Sequence, residues 1–161
     1  MKSRIAALML LALGSAGALA AGTVTVSFIN SDKYADAGNS RSDTPRTLKT
    51  LEDHLRQLGE RYLAEGQSLS IEVLDVDLAG EMRPSRRTAT QIRVVRGGAD
   101  WPRLKVRYVL EGAGQAAQRG EESIADLAYQ SQISRYTDTE PLHYEKQMLE
   151  SWFKAKFAPA H

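Results

Sequence analysis

The chain has 161 residues, with 21 Lys and Arg against 20 Asp and Glu, and no cysteine. So even a charge balance gives no global attraction to nucleic acid or to an anionic membrane surface. The missing thiol removes disulfides, thiolate metal sites and lipid attachment at a cysteine, so burial alone has to hold the domain together.

Lys2 and Arg4 precede an apolar run from Ile5 to Leu13, and Ala18-Leu19-Ala20 follows with the small residues a signal peptidase requires. This pattern predicts a cleavable signal peptide over residues 1–20 and a single mature domain over 21–161. A membrane anchor would need about 20 apolar residues, whereas this run dissolves at Gly14, Ser15, Ala16 and Gly17. The expected location is the periplasm or beyond, with no transmembrane segment in the mature chain and no lipid anchor.

Val24, Val26 and Phe28 alternate with Thr23, Thr25 and Ser27, which predicts a half-buried strand. A polar loop runs from Asn30 to Thr44. Leu48, Leu51, Leu55, Leu58 and Tyr62 then recur at helical spacing, with Thr44 as a cap, Pro45 in the first turn and Gly66 as the stop. Asp53 and Arg56 are expected to pair on the outer face of that helix. His54, on the helix flank beside Leu51 and Leu55, is expected to pack there.

Ser68 to Leu78 is the second expected strand, Gln91 to Val95 a short third and Leu104 to Leu110 a fourth. Gly112 to Gly120 reads as a flexible hairpin loop, with a fifth strand from Glu121 to Tyr129. Asp138, Thr139 and Pro141 open a last helix whose wide apolar face holds Met148, Leu149, Trp152, Phe153 and Phe157. Lys154 and Lys156 fall in its final turn, where cations suit the helix dipole. The expected fold is α+β: a single-layer mixed sheet of about five strands, order β-α-β-β-β-β-α, with two helices on one face. Its opening strand–helix–strand implies a right-handed crossover and a parallel pair.

The second strand carries Asp75 and Asp77. Strict alternation places both on the face begun by Leu69, where paired carboxylates could hold a cation or divide as acid and base. A bulge near Val73 and Leu74 would instead turn them outward. Arg83, Arg86 and Arg87 form a basic loop suited to gripping an anion, with Glu81 beside it. Trp101 could stack on a sugar, or act as a lid on the core edge. Asp126 is a possible third carboxylate. Gly112-Ala113-Gly114 only superficially matches a dinucleotide loop, because no apolar-periodic helix follows it.

Glu72 to Glu81 (EVLDVDLAGE), Trp101 to Gly112 (WPRLKVRYVLEG), Glu121 to Tyr129 (EESIADLAY) and Leu142 to Phe157 (LHYEKQMLESWFKAKF) occur in one order. Together with Thr25 to Gly38 they make the chain resemble the bacterial exported family called domain of unknown function 3016. The resemblance implies an envelope protein with no assigned activity and transfers no catalytic residue. The expectation from sequence is a noncatalytic periplasmic binding or accessory module without a cofactor, whose partner is an envelope protein or a cell-wall component. Two alternatives stand beside it: a metal-dependent hydrolase using Asp75, Asp77 and Asp126, and a cell-wall glycan binder using Trp101.

Overall fold

The computed structural model describes residues 22–158, apart from 39, 41, 86, 88–90, 113, 132 and 138. The expected signal peptide, Arg86, Asp138 and the terminal His161 lie outside these residues.

Strand β1 (Thr23–Phe28) leads through a short 3-10 turn, Ser31–Lys33, into helix α1 (Thr44–Tyr62). Strands β2 (Ser68–Asp77), β3 (Glu81–Pro84), β4 (Gln91–Val94), β5 (Arg103–Gly112) and β6 (Gln115–Ala125) follow, and helix α2 (His143–Phe157) comes last. The class is α+β, as the periodicities imply. The main sheet has four strands in the order β1-β2-β5-β6. Strand β1 runs parallel to β2, as the crossover requires, and the other pairs in this sheet are antiparallel. The Gln91 strand does not join this sheet; it pairs with β3 in a separate hairpin. That hairpin occupies part of the segment expected to be a basic loop. Strand β6 also begins earlier than expected, at Gln115, and ends earlier, at Ala125, so β5 and β6 form one long antiparallel ribbon with a register shift between Leu110 and Gly112.

The core lies between the sheet and the helices. Leu51, Leu55 and Leu58 of α1 and Met148, Leu149, Phe153 and Phe157 of α2 meet Leu69, Ile71, Val73 and Val76 of β2 and Leu104, Val106 and Tyr108 of β5. Gly59 lets α1 approach the sheet, since a Cβ there would stand 2.1 Å from Val24 Cγ2. Gly80 holds φ at +83° in the turn before β3, a region that costs side-chain-bearing residues.

Two local expectations need correction. On α1 the surface pairs are Lys49 with Asp53 and Glu52 with Arg56, each four residues apart, in place of Asp53 with Arg56. Both carboxylates have a cation one full turn away, where the side chains stack more directly. Helix α2 begins at His143 and not at Thr139, because Leu142 adopts a left-handed backbone at φ +56° and resets the chain direction.

Candidate functional site

The sheet face turned away from the helices is the open surface of the fold. Along β1, Thr23, Thr25 and Ser27 are exposed while Val24 is buried. On β2 the alternation runs inward through Leu69, Ile71 and Val73, then slips. The register jumps between Val73 and Asp75, so Leu74 is the extra residue of a bulge, and Val76 and Leu78 return to the core. One added residue inverts the phase of everything after it. Asp75 and Asp77 therefore share the outer face with Glu72.

Directly across, β5 presents Arg107 opposite Glu72, Lys105 opposite Asp75 and Arg103 opposite Asp77. An acidic row on one strand faces a basic row on the next, a pairing that stabilises adjacent strands. Arg107 Nη1 donates to Glu72 Oε2 at 2.8 Å. Arg103 Nε donates to Asp77 Oδ2 at 3.0 Å. On β6, Glu121 accepts from Lys105 at 2.9 Å and from Arg107 at 3.0 Å, and these two cations hold its carboxyl below the usual range.

Asp75 Oδ1 accepts the backbone N–H of Ala35 at 2.8 Å, which fastens the loop after β1 to the sheet. Trp101 is partly buried and stacks its ring against the Arg103 guanidinium, 5.8 Å from the ring centre. Asp126 is buried just past β6, where its Oδ1 accepts the N–H of Ala128 at 3.0 Å. Asp77, Arg103 and Trp101 thus gather at one end of the sheet, with Asp126 on the adjoining strand end. Among the described residues no group of three or more His, Cys, Asp or Glu side chains converges as a metal site.

Arg83 and Arg87 stand elsewhere, on and beside the β3–β4 hairpin. Arg83 Nη2 donates to Glu81 Oε2 at 2.6 Å, and the Arg87 N–H donates to Ser85 Oγ at 3.2 Å. The hairpin is tied back by Arg93. Its guanidinium donates to the carbonyls of Ala79 and Gly80 and pairs with Asp36 at 2.9 Å.

The family comparison falls on this fold. The model for the family described as Protein of unknown function (DUF3016) matches residues 22–155. The chain belongs to this family. No curated protein matches it. The match spans every strand of the DUF3016 domain and all but the last two residues of α2.

Two buried carboxylates on α2 of this DUF3016 protein were not singled out by the sequence. Glu150 is 1% exposed. Tyr62 Oη donates to its Oε1 at 2.7 Å, Tyr136 Oη donates to its Oε2 at 2.8 Å, and Lys154 Nζ pairs with it at 2.9 Å. Arg61 and Arg135 stand at 3.5 and 3.6 Å. Burial alone would raise this carboxyl, yet the hydrogen bonds from Tyr62, Lys154 and Tyr136 outweigh it and hold the group at about 2. His54, as expected, is packed. It is 5% exposed, bonded through Nε2 to the Lys146 carbonyl oxygen at 3.1 Å and edge-on to Tyr136, and burial pushes it down to about 4. Glu145, in the first turn of α2, accepts the Ala79 N–H at 2.7 Å, and burial raises its carboxyl. The one available signal for Glu150 was its position four residues before Lys154, which reads equally well as an ordinary surface pair.

Proposed function

We propose that this DUF3016 protein is an exported, noncatalytic binding module of the cell envelope that takes its partner on the open sheet face. The supporting observation is the face itself. Neither helix covers it, and it sets the acidic row Glu72, Asp75 and Asp77 beside the basic row Arg103, Lys105 and Arg107. Rows of both signs favour a polar partner of matching charge pattern and penalise a misregistered one. The carboxylates Asp75 and Asp77 are occupied in holding a loop and an arginine, which supports an architectural role for them over acid–base chemistry.

The test is site-specific photo-crosslinking in intact cells. A photoreactive residue at Thr25, Ser70 or Ser123, on the open face, is expected to give one discrete adduct. The same group at Lys49 or Arg56, on the outer surface of α1, is expected to give none. Equal adducts from both surfaces, or none from the sheet positions, would overturn the reading. Export is tested separately by intact mass, with the mature N-terminus expected at or next to Ala21.

A further inference from the structure

Strand β6 is the longest strand of the protein and lies at the rim of the sheet. Among the described residues no strand pairs with its outer edge. An unpaired rim of backbone N–H and C=O groups is a template for another strand, and proteins usually blunt it with short or covered edges. Here eleven residues, Gln115–Ala125, are left along it, eight of them exposed, and from Gln118 to Ala125 the strand runs in unbroken register with β5.

The order of the residues on this edge is self-complementary. Gly120 is the midpoint of the strand, and Arg119 and Glu121 flank it. If a second β6 is laid antiparallel with full overlap, Gly120 falls opposite Gly120 of the second copy. Arg119 then falls opposite Glu121 of the second copy, and Glu121 opposite Arg119. Both residues stand on the open face, since they lie across from Val109 and Arg107 of β5. The same register sets Gln118 opposite Glu122 on the helix side. Maximum strand overlap and charge matching therefore select one register, and opposite charges directly across a strand pair favour it while like charges oppose it.

The centre of the edge is also slim. A Cβ on Gly120 would sit 2.6 Å from Tyr108 Oη, so the phenol ring takes the space a side chain would fill and leaves the rim bare at the midpoint. Glu122 is held from the helix side by Trp152 Nε1, which donates at 2.9 Å, and by Lys156, so it does not swing into the path of an incoming strand.

We propose that β6 pairs with β6 of a second copy of this chain, antiparallel about a two-fold axis at Gly120, so that two four-stranded sheets become one of eight. The contact is isologous: one patch serves both copies and closes the assembly at two. It rests on the edge geometry alone and stands whether or not the open face binds a partner.

The exported protein is measured by sedimentation equilibrium across a concentration series. The expected result is a mass rising from one chain to two and no further. Arg119→Glu turns both attractions into repulsions and is expected to weaken association about tenfold or more, with the thermal midpoint of the monomer unchanged. Mixing the Arg119→Glu chain with a Glu121→Arg chain restores both opposite-charge pairs, so the mixture is expected to form heterodimers that neither variant forms alone. Because Glu121→Arg also faces Lys105 and Arg107, a second variant guards against its misfolding. Gln118→Cys with Glu122→Cys, both in regular register, places thiols opposite each other in the paired strands, and mild oxidation is expected to give a covalent dimer. A monomer at every concentration, or a dimer that survives Arg119→Glu and leaves the paired cysteines unlinked, would overturn the proposal.

Discussion

Replacing Glu150 by alanine removes the acceptor on which Tyr62, Tyr136 and Lys154 converge. The carboxylate is almost wholly buried, and its pKa is held at about 2 against an ordinary 4.5. That shift corresponds to stabilisation on the order of 3 kcal/mol at neutral pH. Breaking a buried charged network by removing one member typically costs roughly 3–5 kcal/mol, because the remaining groups stay desolvated. Both routes give Glu150→Ala a loss of about 3 kcal/mol or more, a large share of the roughly 5–15 kcal/mol that holds a domain folded. Tyr136→Phe removes one hydrogen bond to a charged acceptor and is expected to cost about 1.5–3 kcal/mol. The pH dependence gives an independent check. A depressed carboxyl contributes fully above its unfolded pKa and loses that contribution as pH falls through the folded one. The advantage of the natural chain over Glu150→Gln should therefore shrink between pH 4.5 and about 2. Urea denaturation of the three variants at several pH values measures both effects. A Glu150→Ala midpoint close to that of the natural chain, or a gap to Glu150→Gln that ignores pH, would refute the reasoning.

Phe153→Ala should lose about 3–5 kcal/mol, since this ring is fully buried between the helices and the sheet; Trp152→Ala should lose less, because the indole is only partly buried, and chemical denaturation compares the two. Gly59→Ala should destabilise by about 1–3 kcal/mol despite alanine's better helix propensity, because its methyl would collide with Val24; thermal unfolding reads the sign. The His54 imidazole is buried uncharged, so its contribution is present above pH 6.5 and is lost as pH falls towards 4; an NMR titration should place its midpoint near 4. Elemental analysis of the purified protein should find no stoichiometric divalent cation, and a metal that disappears in Asp75→Ala would favour hydrolytic chemistry instead.

Periodicity made most of the scaffold legible. The alternation over Thr23 to Phe28 and the leucine spacing over Leu48 to Leu58 each map onto one element, and the crossover rule supplied the parallel pair. The partner of Gln91–Val94 was not legible, since four residues of mixed polarity carry no mark of which strand they will join. The bulge at Leu74 was visible only as a conflict: two apolar parities meet within one run, and sequence cannot say whether the chain slips or buries its aspartates. The Glu150 network was hidden for another reason. Its members lie at Arg61 and Tyr62 on α1, at Arg135 and Tyr136 in the loop before α2, and at Glu150 and Lys154 on α2, and only the tertiary fold brings the three segments together.

The pairing of β1 with β2 sets an order of assembly. Thr23 lies beside Ser68, with a whole helix between them, whereas β5 and β6 are joined by a turn of a few residues. Closing the longer loop costs about 2 kcal/mol more in chain entropy. The ribbon of β5 and β6 can therefore form early as a local hairpin, β2 joins it only across the β3–β4 segment, and β1, across the longest connection in the sheet, is expected to arrive last. Until it does, β2 keeps a raw edge, and Leu69, Ile71 and Val73 wait for the leucines of α1. The N-terminal third of the domain is thus expected to act as a closing clasp, and a chain cut before Ser68 is expected to be an aggregation seed, not a smaller version of the same fold.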